Sequence, residues 1–218
     1  SKKKFTFSAT NTKKTTFKTY GKKRFLSFKF KDKLYDKKLI KILSEADYIL
    51  VSIPPQKKRD LVLKIFSKYL KKSKFKKLIY LSATSVYGNH NGKWVNENSK
   101  LKGNTKFGLG RKIVEKSWIK FRDLYNLDIN ILRVSGIYSK ESNVLKKISK
   151  KSIFVKEKKY FSRIRIEDLA QIIKKMFYSQ KSSLILNASD DKPATNIEVA
   201  NFAAKLLKIK NLRPMSIA

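Results

Sequence analysis

Apolar residues follow two kinds of spacing along the chain, and the two kinds alternate. Continuous apolar runs predict buried strands at 48–53, 78–82, 129–134 and 184–187, and shorter patterns predict strands at 5–9 and 24–30. Apolar residues at steps of three and four predict helices at 37–46, 57–72, 105–126, 143–151, 166–178 and 195–207. We expect a polar loop with one weak helical turn at 10–23 and an irregular strand within 152–161.

Strands that alternate with helices indicate an α/β fold. Right-handed crossovers then build a doubly wound parallel sheet with helices on both faces. The chain holds no internal repeat and no linker rich in Gly, Pro or Ser, so we expect one domain over residues 1–218.

The strand at 78–82 runs into a cluster of hydroxyl groups. Its sequence is Tyr80-Leu81-Ser82-Ala83-Thr84-Ser85-Val86-Tyr87-Gly88. In open α/β sheets, ligands bind at the carboxyl ends of the strands, so this stretch predicts the floor of a functional site.

The composition limits which kinds of functional site the chain can form. The chain has no Cys, which excludes disulfides and thiolate chemistry, and its one histidine, His90, is expected on a polar turn, so we predict no metal site. No apolar run is long enough to span a membrane, and we expect a cytoplasmic protein.

The net charge of +37 favours binding to polyanions. However, the charge is mostly lysine spread over the whole chain, which favours solvated faces over a specific nucleic-acid site.

Seven segments, in order along the chain, carry a resemblance to a known family. They are Val51-Ser52-Ile53-Pro54-Pro55, Tyr80 to Gly88, Trp94-Val95-Asn96-Glu97, Phe107 to Glu115, Arg133-Val134-Ser135-Gly136-Ile137-Tyr138, Ser162 to Ala170, and Asn187 to Pro193. Together they resemble the extended short-chain dehydrogenase/reductase superfamily, in its NAD-dependent epimerase/dehydratase-like branch. The resemblance implies a Rossmann-like sheet, NAD or NADP as cofactor and a nucleotide-sugar-type substrate.

The resemblance also implies site residues. The cofactor-binding candidates are Ser52, Ile53, Pro54, Pro55, Ser82, Arg111, Ser135, Gly136 and Ile137. Arg163 and Arg165 are placed to meet an anionic group of the substrate. Lys13 and Lys14 follow the first predicted strand, where the 2′-phosphate of NADP would lie.

The sequence departs from the family pattern in two ways. None of its seven Gly forms the Gly-rich turn that receives the cofactor pyrophosphate, so we expect a chain that lacks the first βα unit, is truncated at both ends and has an open sheet edge. The family's catalytic Tyr, Lys and Ser/Thr positions are occupied by Phe107, Arg111 and Ala83. The adjacent hydroxyls that could take the place of the one missing at Ala83 are those of Thr84, Ser82 and Ser85.

Phe107 and Arg111 each have an alternative explanation. Phe107 falls on the apolar stripe of the predicted helix, so packing alone explains it, and Arg111 finds an anionic partner either in a ligand or in Glu115 at i+4. Three functions stay open on this sequence: an NAD(P)-dependent epimerase/dehydratase or oxidoreductase, a catalytically inactive relative that binds a dinucleotide or a protein, and a polyanion binder. A homodimer is left open.

Overall fold

The computed structural model of the protein describes residues 6–151, 153–155, 159–209 and 213–215. Its strands are β1 (Ser8–Asn11), β2 (Thr16–Tyr20), β3 (Lys23–Lys31), β4 (Leu34–Tyr35), β5 (Tyr48–Val51), β6 (Lys77–Ala83), β7 (Ile129–Val134), β8 (Gly136–Tyr138), β9 (Ile153–Val155), β10 (Tyr160–Phe161), β11 (Arg163–Arg165), β12 (Ile185–Ala188), β13 (Ala194–Thr195) and β14 (Arg213–Met215). Its α-helices are α1 (Lys38–Glu45), α2 (Leu61–Leu70), α3 (Lys106–Tyr125), α4 (Val144–Lys151), α5 (Ile166–Tyr178) and α6 (Asn196–Leu206).

The centre of the fold is a parallel sheet of four strands in the order β12-β7-β6-β5. The expected α/β fold with a parallel sheet is therefore confirmed. In the register of β6 and β7, Ser82 lies opposite Arg133 and Ala83 lies opposite Val134. The two strands thus end side by side, and the segments that follow them leave the sheet at the same edge.

Alternation along the central strands divides the core between the two faces of the sheet. Leu78 and Tyr80 of β6 pack in one cluster with residues of α2 and α3, whereas Ile79 packs in a second cluster with Leu169 and Met176 of α5. Successive side chains of a strand point to opposite faces, so an unbroken apolar run is what a strand covered on both faces requires.

A second sheet of four strands precedes the parallel one in the chain. β3 lies at its centre, parallel to β1 and antiparallel to β2 and β4. Phe28 and Phe30 of β3 belong to the same core cluster as Ile49 and Val51 of β5, so the two sheets share one core. In the part of the chain that the structure describes, no strand pairs with the edge of β5 away from β6.

The predicted elements mostly match the structure. The helix at 166–178 has the predicted bounds, and the other five helices and the central strands agree to within a few residues. The loop predicted at 10–23 is wrong, because it contains β2. That strand is almost fully exposed and is held by pairing with β3, so it leaves no apolar pattern to detect. The first strand spans Ser8–Asn11, and residue Phe5 lies outside the described residues.

The region 152–161 is described only in part. It holds β9 and β10, which is consistent with the expected irregular strand, while residues 152 and 156–158 lie outside the described ranges.

The amino end of the parallel sheet is closed by a buried lysine. Lys77, only 3% exposed, donates from Nζ to the carbonyl oxygens of Ser179 and Lys181 at 2.8 Å, and its ammonium lies 3.5 Å from Asp128 Oδ2. Ser179 is the C-cap of α5, where a cation is favoured by the helix dipole. This arrangement leaves the opposite, carboxyl end of the sheet for ligands.

Candidate functional site

Two buried hydroxyls mark the carboxyl ends of the central strands. Ser82 on β6 and Ser135, directly after β7, are 3% and 6% exposed. Neither Oγ has a hydrogen-bond partner among the described residues. Buried polar groups are nearly always paired, so two unpaired hydroxyls at this edge indicate a place where a ligand or water accepts or donates a hydrogen bond.

The residues expected to hold a cofactor are brought together at this edge. Val51 at the end of β5 lies opposite Tyr80 of β6, so the segment 52–55 leaves the sheet beside Ser82 and the segment 135–137. Ser52, Pro54, Gly136 and Ile137 are exposed, while Ile53 and Pro55 are partly buried. Their contact with a cofactor remains a prediction.

A tight turn fixes the hydroxyl cluster against the start of α3. Thr84–Val86 forms one turn of 3₁₀ helix after β6. The carbonyl oxygen of Ser85 lies so close to two glycines that a Cβ on either Gly103 or Gly108 would sit 2.5 Å from it. The N–H of Gly108 also donates to Oγ1 of Thr105, the N-cap residue of α3, at 3.1 Å. The turn and the helix therefore approach through backbone atoms alone.

The packing explanation for Phe107 is wrong. Phe107 is 80% exposed in the first turn of α3, while the neighbouring positions Gly108 and Gly110 are the buried ones. A residue at this position presents its ring to solvent or to a ligand beside the 3₁₀ turn. The apolar stripe that does pack on the sheet begins later, at Val114 and Trp118.

Arg111 does not pair with Glu115. Its Nη1 donates to the carbonyl oxygen of Leu81 at 2.6 Å and to Tyr80 Oη at 3.5 Å, so the guanidinium lies against the end of β6. The positions of Ala83, Phe107 and Arg111 thus combine a methyl group, an exposed ring and an inward-facing cation. The ordinary proton-donating tyrosine is missing from this arrangement.

A buried polar cluster lies beneath Arg111. Asp60, 5% exposed, caps α2 by accepting from the N–H of Leu63 at 2.9 Å, and burial raises the pKa of its carboxyl despite the nearby Trp118 indole and Arg111. Asp60 Oδ2 and Trp118 Nε1 face one another without a hydrogen bond of good geometry. Burial likewise raises the pKa of Tyr80 far above its usual value, so Tyr80 stays protonated and is a poor proton donor.

A buried ion pair joins α3 to β7. The Nε and Nη2 of Arg133 donate to the carboxylate of Glu115, with Nη2 2.9 Å from Oε2, and both residues are almost fully buried. Burial opposes the charge of Arg133, but hydrogen bonds to Glu115 and Tyr87 prevail and raise its pKa. Arg133 therefore stays charged inside the protein.

The same guanidinium links three further segments. Arg133 Nη1 donates to Tyr87 Oη at 2.9 Å and to the carbonyl oxygen of Glu97 at 3.1 Å. Tyr87 Oη in turn donates to Asn187 Oδ1 at 2.7 Å, and the backbone N–H of Asn187 donates to Glu97 Oε1 at 2.6 Å. We call Tyr87, Glu97, Glu115, Arg133 and Asn187 the buried network.

The buried network gives a structural role to motif residues whose role the sequence left open. Each of its five residues lies in one of the segments that carry the family resemblance, and the sequence order alone did not indicate that they meet. One signal could have pointed to this network: Arg133 is a charged residue in a mostly apolar strand, where a buried charge needs a partner.

The two late arginines differ from each other. Arg163 donates from Nη1 to the carbonyl oxygens of Phe161 and Ala194 and from Nη2 to Asn196 Oδ1, so its guanidinium is used within the fold. Arg165 is 53% exposed and pairs with Glu167 at 3.1 Å. Binding of an anionic substrate by either arginine remains a prediction.

His90 lies on a loop, as expected, with Nε2 3.0 Å from the carbonyl oxygen of Lys100. Over the described residues, no group of three or more His, Asp or Glu side chains is arranged to hold a metal ion. Within the same ranges, no helix has the length and apolar character needed to cross a membrane.

Comparison with known sequences assigns the family. The sequence model of the NAD dependent epimerase/dehydratase family matches residues 61–176, more than half of the chain. The chain belongs to this family. The match spans α2 through α5 and includes the buried hydroxyl of Ser82, Arg111 and most of the buried network. No curated protein matches the sequence.

Solved structures of related folds agree with this assignment. This epimerase/dehydratase family member is similar to a functionally unknown conserved protein from Silicibacter pomeroyi DSS, with 29% identity, a TM-score of 0.70 and coverage of 78% of this chain and 60% of that one. It is also similar in fold to UDP-glucuronic acid 4-epimerase from Bacillus cereus in complex with UDP-glucuronic acid and NAD. The identity is 17%, the TM-score is 0.69, and the match covers 84% of this chain and 66% of that one. A third structure with a similar fold is RMD from Pseudomonas aeruginosa complexed with NADPH. The identity is 10%, the TM-score is 0.64, and the match covers 78% of this chain and 69% of that one.

The chain covers only part of the length of these structures. The chain spans 60% of the length of the Silicibacter protein and about two thirds of the length of the other two.

The close contact between Gly108 and the 3₁₀ turn predicts opposite effects for alanine substitutions at two nearby glycines of α3. Gly108→Ala should destabilise the protein by about 1–3 kcal/mol, because the new methyl group collides with the carbonyl oxygen of Ser85. Gly110→Ala, on the same helix, meets only Pro55 at 3.9 Å and should be neutral or stabilising by up to about 1 kcal/mol. Urea unfolding midpoints measure both, and equal midpoints would contradict the close approach.

The buried ion pair predicts a large effect of removing one charge. Glu115→Gln should lower the free energy of unfolding by about 3 kcal/mol or more, because Arg133 then stays buried without a counter-ion. Lys116→Gln, at the next position and exposed, is the matched control and should leave the unfolding midpoint nearly unchanged. Denaturant unfolding followed by circular dichroism compares them, and similar midpoints for the two variants would show that the pair is not charged and buried.

Proposed function

We propose that the protein is an NAD(P)-dependent enzyme of the epimerase/dehydratase type that acts on a nucleotide-sugar-type substrate through an altered set of proton-transfer residues. The observation that carries this proposal is the pair of buried, unpartnered hydroxyls of Ser82 and Ser135 at the carboxyl ends of adjacent parallel strands. In open α/β sheets this edge is where ligands bind. The neighbours solved with NAD, NADPH and UDP-glucuronic acid support the same ligand classes.

The residues at this edge suit the nicotinamide end of such a cofactor better than its pyrophosphate. Ser82, Ser135 and the segments 52–55 and 136–137 offer hydroxyls, backbone groups and apolar surface beside the strand ends. The sequence has no Gly-rich turn, so no pyrophosphate contact is assigned. The cofactor, when bound, would supply hydride transfer.

The residues of this chain would orient the reacting group, supply charge and provide an apolar contact. Ser82 and Thr84 provide hydroxyls for orienting a reacting group. Arg111 supplies a positive charge at the carbonyl oxygen of Leu81, the residue before Ser82. Phe107 supplies an exposed ring against which a sugar or a nicotinamide packs.

Cofactor titration tests the proposal. NADH or NADPH should bind saturably at or below millimolar concentration, measured by cofactor fluorescence and calorimetry. The double variant Ser82→Ala with Ser135→Ala should weaken binding by about 5- to 150-fold, since each of the two lost hydrogen bonds is worth about 0.5–1.5 kcal/mol. Ser117→Ala is the matched control, because Ser117 Oγ donates only to the carbonyl oxygen of Ile113 on the outside of α3. Failure of both cofactors to bind would remove the proposal.

A second candidate function is supported by the orientation of Arg111. Its donation to the carbonyl oxygen of Leu81 at 2.6 Å holds the cation against the strand, and Phe107 has no proton to transfer. These features favour a relative that binds a dinucleotide without turning over a substrate, as a sensor or scaffold.

Restoring the family residues separates the two candidates. In the inactive relative, the triple variant Ala83→Thr, Phe107→Tyr, Arg111→Lys should create turnover of UDP-glucuronic acid, followed by chromatographic separation of the product nucleotide sugar, because epimerisation leaves no net reduced cofactor. In an enzyme that uses its own altered residues, the same variant should instead lower an activity that the original protein already has. The cytoplasmic location, a homodimer and weak polyanion binding remain predictions from the sequence.

A further inference from the structure

One face of the sheet formed by β1 to β4 is not covered by the core of the protein. Residues alternate between the two faces of a strand, and Leu26, Phe28 and Phe30 of β3 point into the core. The side chains at the intervening positions of β3, and those paired with them on β1 and β2, lie on the opposite face. Among the described residues, no core cluster includes an apolar side chain from this opposite face.

Three aromatic rings lie in a row across this uncovered face. The ring of Phe7, just before β1, has its centroid 4.5 Å from that of Phe25 on β3. Tyr20 on β2 pairs with Lys23, two residues from Phe25 along β3, so the rings of Tyr20 and Phe25 are diagonal neighbours. Phe7 is 45% exposed and Tyr20 is 83% exposed. At least two of the three rings are therefore accessible to a ligand.

Lysines alternate with the rings on the same face. Lys18 on β2 lies opposite Phe25, and Lys23 on β3 lies opposite Tyr20. Both lysines are exposed, and neither forms an ion pair within the part of the chain that the structure describes. The strands β1, β2 and β3 and the loops between them contain no Asp or Glu, so no acidic side chain of this segment offsets the charge. We call Phe7, Lys18, Tyr20, Lys23 and Phe25 the open face.

The combination of rings and cations on the open face indicates the class of its ligand. Aromatic side chains stack on bases, because every base has a π-face, while a basic surface follows the phosphates of the backbone. Sheets that present two or three exposed aromatic rings bind unpaired bases in this way. A duplex keeps its bases stacked on one another, so exposed rings suit a single strand better than a duplex.

Polar neighbours distinguish the open face from a membrane-binding surface. Asn11, Thr16 and Ser27 lie on the same face of the sheet as the rings and lysines. A surface that enters the lipid interface needs a continuous apolar area, which these polar side chains interrupt. A second copy of the chain is disfavoured as the partner, because its net charge of +37 would bring like charges to the two lysines.

We propose that the open face binds single-stranded nucleic acid without sequence preference, with its rings stacked on bases and its two lysines against phosphates. This binding is separate from the proposed enzymatic function, because Ser82 and Ser135 lie at the strand ends of the parallel sheet and not on β1, β2 or β3. It also differs from general adhesion to polyanions, because it requires bases as well as phosphates.

An abasic oligonucleotide tests the role of the rings. An oligomer of about 15 thymidines and an abasic oligomer of the same length carry the same phosphates, so the net charge of the protein does not distinguish them. By fluorescence anisotropy at physiological salt, the thymidine oligomer should bind at least about tenfold more tightly, because stacking contributes at each base that meets a ring. A duplex with the same number of phosphates should also bind more weakly than the thymidine oligomer. Equal affinities in either comparison would overturn the proposal.

Ring variants locate the stacking. Phe7→Ala with Tyr20→Ala should weaken binding of the thymidine oligomer at least about tenfold and change binding of the abasic oligomer by less than about twofold. The control, Trp94→Ala with Phe202→Ala, removes two exposed rings outside this sheet and should change both affinities by less than about twofold. If the two double variants lose the same affinity for the thymidine oligomer, the open face is not the site and the proposal is wrong.

Lysine variants locate the phosphate contacts. Lys18→Gln with Lys23→Gln should reduce the slope of log affinity against log salt concentration by about 1.4, since each phosphate contact of a single strand contributes about 0.7. The control, Lys116→Gln with Lys120→Gln on the exposed side of α3, removes the same charge elsewhere and should leave the slope nearly unchanged. The same change of slope in both double variants would assign the binding to net charge and contradict the proposal.

Two further ligands separate this inference from its alternatives. Vesicles of phosphatidylserine and phosphatidylcholine should bind the original protein and the Phe7→Ala, Tyr20→Ala variant equally. If that variant loses binding to vesicles and keeps binding to the thymidine oligomer, the open face is a membrane surface and the proposal fails. Saturating NADPH should leave the oligomer bound, and displacement would place the oligomer in the cofactor site and overturn the proposal. If neither NADH nor NADPH binds, the proposed function fails, while this inference stands.

Discussion

The buried pair of Glu115 and Arg133 is the interaction on which the site end of the fold depends. Taking two ions out of water is unfavourable by several kcal/mol each, and only close geometry with further hydrogen bonds offsets it. Both conditions are met here: three hydrogen bonds join the two side chains, and Arg133 also reaches Tyr87 and the backbone of Glu97. One guanidinium therefore holds together α3, β7, the turn after β6 and the loop around Glu97. Asn187 extends the connection to β12.

This pair has a consequence for the altered catalytic positions. Because Glu115 is committed to Arg133, it is not available to Arg111 one helical turn earlier, although the i+4 spacing would allow the contact. Arg111 instead reaches the carbonyl oxygen of Leu81 at the end of β6. The cation thus stays at the edge of the sheet, beside Ser82, and is set by the strand instead of by a carboxylate on its own helix. Phe107 stays exposed in the first turn of α3.

The parts that sequence could predict are those that a local pattern encodes. β5, β6 and β7 follow from unbroken apolar runs, and α5 from its period and the acidic residues of its first turn. β2 could not be predicted, because its side chains are exposed and only hydrogen bonds to β3 make it a strand. The exposure of Phe107 was missed because its spacing fits the apolar stripe, while the close backbone contact at Gly108 turns that face elsewhere. The buried network has no local signature, since it joins residues far apart in sequence.

The net charge shows a similar difference between what the number of lysines indicates and what their positions in the structure indicate. A chain with 53 Lys and Arg against 16 Asp and Glu presents lysines on most exposed faces, so a lysine as such indicates no ligand. The turn after β1 shows what the structure adds to composition. Asn11 forms hydrogen bonds with the backbone of Lys13 and Lys14, and Thr15 accepts from the backbone N–H of Lys29 and donates to Asp36. The positions of these three lysines are therefore set by hydrogen bonds to their backbone, which the count of charges does not indicate.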